Sequence, residues 1–393
     1  MYEWFHPERE RRLLLWSRGI PAPPLNVSFL FTQKCQFHCR FCNATNLLEE
    51  GKNPDFRELD TVELCRLAEA GSRLGITWWE LVGGEPAYDI DRLITFIEAV
   101  RDNGMSGHLI SNGWGWTEAA ARRVVEVGWN ALVFSVYSHR ARIHDDLVRR
   151  KGALDRILGI IGTIQAQKNR LRKKQPHLYA NVLIHRYNIR SIHKITARLA
   201  ESGVSQINFQ NLFHTPTSGR YLEPSPRQQL YLQRQLTKIT AVAAKHKIGT
   251  NILTYKDPRM FKSTPTDSFL ERITDETGFS SVFCYDPWLR LNINATGRVF
   301  CCRTMIDSGE SFRDHGDLQS IWQGAGFERL RRALLLRKLP NSCQHCCAPI
   351  LDDNEGIRKA LAENETRLPT QHTAAESEPP ISITPADRMV HRQ

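Results

Sequence analysis

Three cysteines lie close together near the N-terminus, in the run CQFHCRFCN with the spacing C-x3-C-x2-C: Cys35, Cys39 and Cys42. Three thiolates can hold three irons of a [4Fe–4S] cluster and leave the fourth iron without a protein ligand. Such an open iron can chelate a small molecule and pass an electron to it. Zinc is the alternative, but zinc requires four ligands, and only His38 is available inside the motif.

Six further cysteines lie near the C-terminus: Cys284, Cys301, Cys302, Cys343, Cys346 and Cys347. The segment between Cys284 and Cys302 predicts a hairpin with an Ala-Thr-Gly turn, which would bring these two thiols together. A helix around 317–338 would return the chain so that Cys343 and Cys346 complete four ligands. Four thiolates can hold a second [4Fe–4S] cluster or a zinc ion. The remaining two cysteines each adjoin one of these four and could replace it.

The first part of the chain alternates between two kinds of segment. Strands are predicted at 25–32, 76–86, 106–113, 130–138, 177–188 and 205–213. Helices with apolar residues at helical spacing are predicted at 59–75, 90–104, 117–128, 153–168 and 191–203. This order implies an α/β fold of parallel βαβ units, in which ligands gather at the carboxyl ends of the strands.

The trio of cysteines resembles the motif of the radical S-adenosylmethionine (SAM) superfamily, in which SAM binds the open iron and is cleaved to a 5′-deoxyadenosyl radical. The segment Gly83, Gly84, Glu85 and Pro86, which ends the second predicted strand about 40 residues after the trio, matches a family element that offers carbonyls to the SAM amine. The resemblance implies a partial (β/α)6 TIM-like barrel with its cluster loop after the first strand.

Further positions carry over to this sequence one at a time. Phe41 is the aromatic residue that usually precedes the third cysteine. Ser111 and Asn112 end the third strand, where relatives contact SAM, and Ser135 matches a serine near the ribose. In HDDLVRRKGAL (144–154), Arg149 matches an arginine that pairs with the SAM carboxylate, and Arg150 is the alternative.

The distal cysteines resemble the SPASM/twitch extension that follows the barrel in many radical SAM enzymes, and the one-cluster twitch form fits their number better. The predicted organisation is an N-terminal extension (1–24), the core barrel (25–250), a linker (251–281), the auxiliary-cluster domain (282–350) and a polar, disordered tail (351–393). The lone Cys65 is expected on the buried face of a helix.

Composition restricts the partners. The net charge is +11, and 41% of the residues are hydrophobic. No stretch approaches the roughly 18 apolar residues of a spanning helix, and the charged N-terminus does not resemble a signal peptide, so a cytoplasmic protein without a membrane partner is expected. The basic clusters are far apart, which favours a solvated basic surface over a nucleic-acid site.

The resemblance implies a radical SAM oxidoreductase that takes electrons from a donor such as flavodoxin or ferredoxin. Our first hypothesis is oxidation of a C–H bond in a small metabolite, with a sugar or aminocyclitol as candidate substrate. The alternative is modification of a ribosomally made peptide. No catalytic residue is assigned, although polar residues near strand ends could face the substrate: Tyr137, His139, His185, Asn211 and His214.

Overall fold

The structure is a computed structural model that describes residues 5–42, 57–212, 220–261, 279–338, 340–341, 343 and 356–363. Its strands are β1 Asn26–Thr32, β2 Trp78–Gly83, β3 Ser106–Ser111, β4 Ala131–Ser135, β5 His177–Leu183, β6 Gln206–Gln210, β7 Gly249–Thr250, β8 Arg290–Ile293, β9 Arg298–Phe300 and β10 Asp307–Ser311. Its helices are α1 Phe5–Ser17, α2 Thr61–Leu74, α3 Ile90–Asp102, α4 Glu118–Glu126, α5 Ala141–Val148, α6 Ala153–Leu171, α7 Ile192–Glu201, α8 Pro226–Lys245, α9 Asp286–Leu289, α10 Phe312–His315, α11 Leu318–Trp322 and α12 Ala325–Leu335.

These strands form one sheet in the order β10-β9-β8-β1-β2-β3-β4-β5-β6-β7. All neighbours from β8 to β7 are parallel, while β9 runs antiparallel to β8 and β10 antiparallel to β9. The six predicted strands are all present, with helices between successive parallel strands. The expected partial, open (β/α) barrel is therefore confirmed.

The two faces of the sheet differ in chemistry because side chains alternate along each strand. On β1, Val27, Phe29 and Phe31 are fully buried on the face that packs against the helices. Phe29, for example, lies edge-to-face with Phe96 of α3, with the ring centroids 5.4 Å apart. The opposite face, which we call the lumen face, carries mostly polar residues, among them Ser28 in register with Glu80 of β2.

The first strand of the C-terminal hairpin extends the sheet of the barrel. Strand β8 pairs in parallel with β1, from Asn26 opposite Arg290 to Phe29 opposite Ile293. This pairing satisfies the main-chain groups of β1, which would otherwise be an open edge of the barrel. The predicted hairpin itself is confirmed by the antiparallel pairing of β8 with β9.

Two terminal segments are more ordered than expected. In the predicted extension, α1 buries Arg12, which donates to the carbonyls of Pro23, Pro24 and Gly75. Residues 356–363, inside the predicted disordered tail, form a helix that buries Ile357 and Leu361. The rest of that tail, from 364 onward, lies outside the described residues, as do 262–278 of the predicted linker. Among the described helices, none has the length and apolar character needed to cross a membrane.

Candidate iron–sulfur and SAM site

The first three cysteines lie on a loop that begins directly after β1, at the carboxyl edge of the sheet. Cys35 and Cys39 pack against the same buried cluster around Phe37. Burial raises the pKa of the Cys35 thiol to about 11, and the charges of Glu85 and Cys42 add to this effect. The amide of Phe37 donates to the Cys35 sulfur at 3.4 Å, and the side-chain amide of Asn112 lies 3.8 Å from it. Three cysteines on one short loop, with N–H donors directed at one sulfur, fit the thiolate ligation of an iron–sulfur cluster.

The two glycines after β2 allow the chain to pass against this loop. The amide of Gly84 donates to the carbonyl of Thr32 at 2.7 Å, and that of Glu85 to Lys34 at 2.8 Å. A Cβ on Gly84 would lie 2.3 Å from the Lys34 oxygen, and one on Gly83, whose φ is +131°, would lie 2.5 Å from the Thr32 oxygen. The glycines therefore brace the backbone that leads into Cys35. The contact of this segment with the SAM amine stays a prediction.

Glu85 is buried and links the ends of β2 and β3. Its carboxylate accepts from the Ser111 hydroxyl at 2.6 Å, the Asn112 amide at 2.5 Å and the Ala87 amide at 3.0 Å. Burial raises the pKa of this carboxyl to about 7, against the effect of these hydrogen bonds. Pro86 opens the buried turn that follows.

Ser111 is 3% exposed, and its hydroxyl also accepts from the amide of Gly113 and the indole of Trp116. The Ser111 hydroxyl is thus hydrogen-bonded within the protein, and the contact of this residue with SAM stays a prediction. Asn112, whose side-chain amide faces Cys35, is the member of this pair that reaches the cysteine loop.

The 144–154 element supports the cysteine loop from another side. Arg40, between the second and third cysteines, forms an ion pair of 2.7 Å with Asp146 of α5, and its backbone amide donates to Leu147. Asp145 accepts from the amides of Gly152 and Leu154 at the start of α6. These contacts explain the acidic pair in the motif, because one carboxylate secures the loop and the other orders the next helix.

The arginines of this element differ in their surroundings. Arg149 ends α5 in the left-handed conformation, with φ of +53°, and is exposed. The Arg150 guanidinium lies 4.3 Å from the centre of the Trp114 ring, which in turn contacts Phe37 of the cysteine loop. Arg150 therefore contacts the wall of the site directly, while the pairing of Arg149 with the SAM carboxylate stays a prediction.

Tyr137, which the sequence suggested only as a residue that could face the substrate, is part of the site. Its backbone amide donates to His144, and its carbonyl accepts from Asn188 at 2.9 Å and contacts His185 at 3.0 Å. Its ring lies edge-to-face with Phe41, with centroids 4.8 Å apart. Tyr137 packs against the same buried cluster as Cys35 and Cys39. Burial, and then the charges of the nearby cysteines, raise the pKa of its phenol.

Ser135 lies near this phenol and offsets part of the rise in its pKa, while the contact of Ser135 with the ribose stays a prediction. His185 is fully buried in the network that holds Tyr137, while His139 and Asn211 are half-buried. His214 lies outside the described residues. The sequence carried no signal for the Tyr137 network, because its members come from β4, α5 and the turn after β5.

The second group of thiols lines one cavity. Cys284, Cys302 and Cys343 border it together with Asp286 and Arg303. Burial raises the pKa of Cys343 to about 12, and the charge of Cys302 adds to this effect. Cys301 is fully buried and is not part of the lining. The predicted grouping of Cys284, Cys302 and Cys343 is thus reproduced, and Cys346 and Cys347 lie outside the described residues.

Neither group of thiols converges on a single metal ion in the described part of the chain. A zinc ion would need four ligand atoms at about 2.0–2.3 Å from one point, whereas the irons of a cubane accept thiolates that stand farther apart. The two sites lie at opposite edges of the sheet. The trio follows the carboxyl end of β1, while Cys284 precedes β8, which is parallel to β1, and Cys302 follows the antiparallel β9.

A network of charges connects the second cavity to the lumen face. Glu80 of β2 pairs with Arg290 at 2.5 Å and lies 3.5 Å from His108. Arg290 also pairs with Asp286 at 3.2 Å, and Arg303 lies 3.9 Å from Glu80. Although burial opposes it, Arg290 and Arg303 hold the pKa of Glu80 well below its ordinary value.

Cys65 differs from the expectation, since it is only half-buried on α2. His38, the possible fourth zinc ligand of the first trio, is exposed. Neither residue takes part in the contacts of the two thiol sites described above.

Comparisons with known proteins agree with this architecture. The model of the radical SAM superfamily matches residues 29–207, and that of an iron–sulfur cluster-binding domain, SPASM, matches residues 284–347. A PqqA peptide cyclase from Ruegeria pomeroyi is 26% identical over 337 residues, which cover 83% of this chain and 80% of the relative.

Solved structures share the fold at low sequence identity. SuiB of Streptococcus suis bound to S-adenosylmethionine superposes with a TM-score of 0.60 at 13% identity, covering 85% of this chain and 74% of SuiB. The structure of anSMEcpe with bound AdoMet gives a TM-score of 0.57 at 12% identity, covering 88% of this chain and 98% of that protein. The chain therefore carries a radical SAM domain and a C-terminal SPASM domain, which imply SAM, a [4Fe–4S] cluster and an auxiliary iron–sulfur centre as its cofactors.

Proposed function

We propose that this radical SAM enzyme oxidises a peptide, forming a cross-link or ring within a ribosomally made chain. The main support is the similarity to a peptide cyclase that extends over 83% of the chain and four-fifths of the relative. SuiB, one of the structures that share the fold, is also known bound to its precursor peptide SuiA. Our first hypothesis of small-metabolite oxidation has no comparable support, so we adopt the alternative.

The lumen face has the chemistry that a peptide backbone requires. Strand register aligns Ser135 of β4 with Asn181 of β5 and Asn208 of β6. The side-chain amide of Asn208 donates to the Asn181 oxygen at 3.3 Å, and Gln206 donates to Asn208 at 3.0 Å. Carboxamides carry both donors and acceptors, so this row can pair with the N–H and C=O groups of an extended peptide.

The charged groups of the lumen are already paired, which argues against a phosphorylated substrate. Arg290 and Arg303 face Glu80 and Asp286. Their charges therefore serve this internal network, whereas a phosphate site needs cations that are available to the ligand. Among the described residues of the strands, the groups available to a substrate on the lumen face are mainly amides and hydroxyls, rather than unpaired positive charges.

When bound, SAM and the two iron–sulfur centres supply hydrogen-atom abstraction by a 5′-deoxyadenosyl radical and a place for the electron that an oxidative cross-link releases. The protein must hold the reacting C–H bond beside this radical and exclude water. The cysteine loop is held by hydrogen bonds to Gly84 and by the ion pair with Asp146, and Tyr137 is held by Asn188. Together they form a rigid surface at the carboxyl edge of the lumen, against which a substrate can be positioned.

The test is an anaerobic incubation of the reconstituted full chain with SAM, dithionite and the small-peptide fraction of the source cells. A portion of that fraction, digested to amino acids by protease, is the matched control. We expect 5′-deoxyadenosine release to depend on the intact fraction and one peptide to lose two hydrogens in mass. Equal stimulation by the digested fraction would favour a metabolite substrate and contradict the proposal. The C35A/C39A/C42A variant should release no 5′-deoxyadenosine in either case.

A further inference from the structure

Arg331 on α12 is a cation buried in the C-terminal domain without a counter-ion. Only 7% of the residue is exposed. Its Nε donates to the carbonyl of Pro287 and one terminal nitrogen to that of Trp322, each at 3.0 Å. The other terminal nitrogen is buried and has no hydrogen-bond partner. The exposed carboxylate of Glu328, one turn earlier on α12, acts on this cation from a distance but forms no ion pair with it. An uncompensated charge in such a place is costly unless an anion lies nearby.

Three aromatic rings separate this guanidinium from water. Its carbon lies 4.2 Å from the centre of the Trp322 ring, 4.6 Å from Trp16 and 5.0 Å from Phe327. Cation–π attraction offsets part of the burial, but rings carry no net charge and cannot neutralise the cation. Trp16 belongs to α1, so the N-terminal helix completes this enclosure.

The position of Arg331 identifies where an anion would be. Pro287, whose carbonyl binds the guanidinium, lines the cavity of Cys284, Cys302 and Cys343, and so does Leu330, the residue before Arg331. The positive charge of Arg331 also reaches Cys301, the neighbour of Cys302. The cation therefore lies directly behind the wall of the thiol cavity.

We propose that Arg331 is the built-in counter-charge of the auxiliary iron–sulfur centre and sets its reduction potential. Reduction adds a negative charge to a centre that its thiolate ligands already make anionic, so a nearby cation stabilises the reduced form more than the oxidised form. Because the guanidinium is shielded from solvent, water and salt screen its field poorly. Charge and solvent exposure near the ligands are recognised means by which a protein tunes such a potential.

Arg329 provides a matched control on the same helix. It carries the same charge and also acts on Cys301, but it is exposed, so solvent screens it. The experiment uses the full chain with C35A/C39A/C42A, which leaves the auxiliary centre as the only cluster. The midpoint potential of that centre is measured by EPR-monitored redox titration in Arg331→Met and Arg329→Met, with iron content and circular dichroism measured in parallel.

We expect Arg331→Met to keep its iron and shift the midpoint potential to more negative values, while Arg329→Met stays at the parental potential. An unchanged potential in an iron-loaded Arg331→Met variant, or an equal shift in Arg329→Met, would overturn the proposal. If Arg331→Met does not retain iron, the potential is measured in Trp16→Ala instead. This variant keeps the Arg331 cation but lets water reach the guanidinium and screen its charge. We expect a smaller shift in the same direction, and an unchanged potential would again overturn the inference. This outcome does not depend on whether the substrate is a peptide.

Discussion

Replacing Gly84 by alanine tests whether the glycine pair braces the cysteine loop. The new Cβ would lie 2.3 Å from the Lys34 oxygen and 2.7 Å from the Gln33 oxygen, both of them backbone atoms. To reach ordinary contact, the segment before Cys35 must move by about 1 Å, and a misplacement of that size can lower a rate by about 100-fold. We therefore expect SAM cleavage to 5′-deoxyadenosine to fall by about two orders of magnitude.

The same substitution should also lower stability. Overpacking costs about 1–3 kcal/mol, and the two hydrogen bonds from Gly84 to Thr32 and from Glu85 to Lys34 contribute about 1 kcal/mol each. We expect the free energy of unfolding to fall by about 3–5 kcal/mol. Urea denaturation followed by circular dichroism measures this change, and iron analysis measures loading of the trio.

The control is Gly159→Ala on α6, where a Cβ would meet nothing within 4 Å. Alanine is the better helix former by about 1 kcal/mol, so this variant should be slightly more stable and fully active. If Gly84→Ala bound iron and cleaved SAM as the parent does, the bracing role of this segment would be refuted.

Four further variants test other parts of the structure. Burial opposes it, but Arg313 holds the pKa of Glu63 at about 2, below its ordinary 4.5. The stabilisation from the ionised Glu63 is present above pH 4.5 and is lost as the pH falls toward 2. Glu63→Gln should therefore lower the free energy of unfolding by up to about 3 kcal/mol at pH 7 and flatten the acid-denaturation profile. An unchanged profile would contradict the pairing. Asn181→Leu should raise KM for the peptide about 10-fold through lost hydrogen bonds while leaving substrate-free SAM cleavage intact; equal loss of both would indicate a structural defect. Cys302→Ser should lose the auxiliary iron and Cys301→Ser should retain it, as measured by iron analysis. The opposite result would identify Cys301 as the cluster ligand in place of Cys302.

The sequence predicted the elements that local patterns specify. Alternating apolar segments placed all six main strands, and the cysteine spacing identified the residues of the trio loop. The N-cap of α4 at Thr117, which accepts from the Ala120 amide, and the left-handed Gly104 after α3 are local features of the same kind. Each of these features depends on residues within a few positions of one another.

Features that depend on distant partners could not be predicted in this way. The pairing of β8 with β1 joins residues more than 250 positions apart, and neither strand's sequence indicates which strand it will pair with. The hydrogen bond from the Ser111 hydroxyl to Glu85 likewise joins residues 26 positions apart, on the ends of different strands. The role of Arg331 likewise appears only when α1 and α11 close around it.

The addition of β8 to the edge of β1 has a consequence for how the protein can be divided. A chain cut before the C-terminal hairpin would leave β1 with a row of unpaired amides and carbonyls, and such edges recruit strands from other molecules. The barrel half is therefore expected to aggregate when expressed alone, although it contains every residue of the first cluster. If the two halves are co-expressed as separate chains, we expect β8 of one half to pair with β1 of the other and cover this edge.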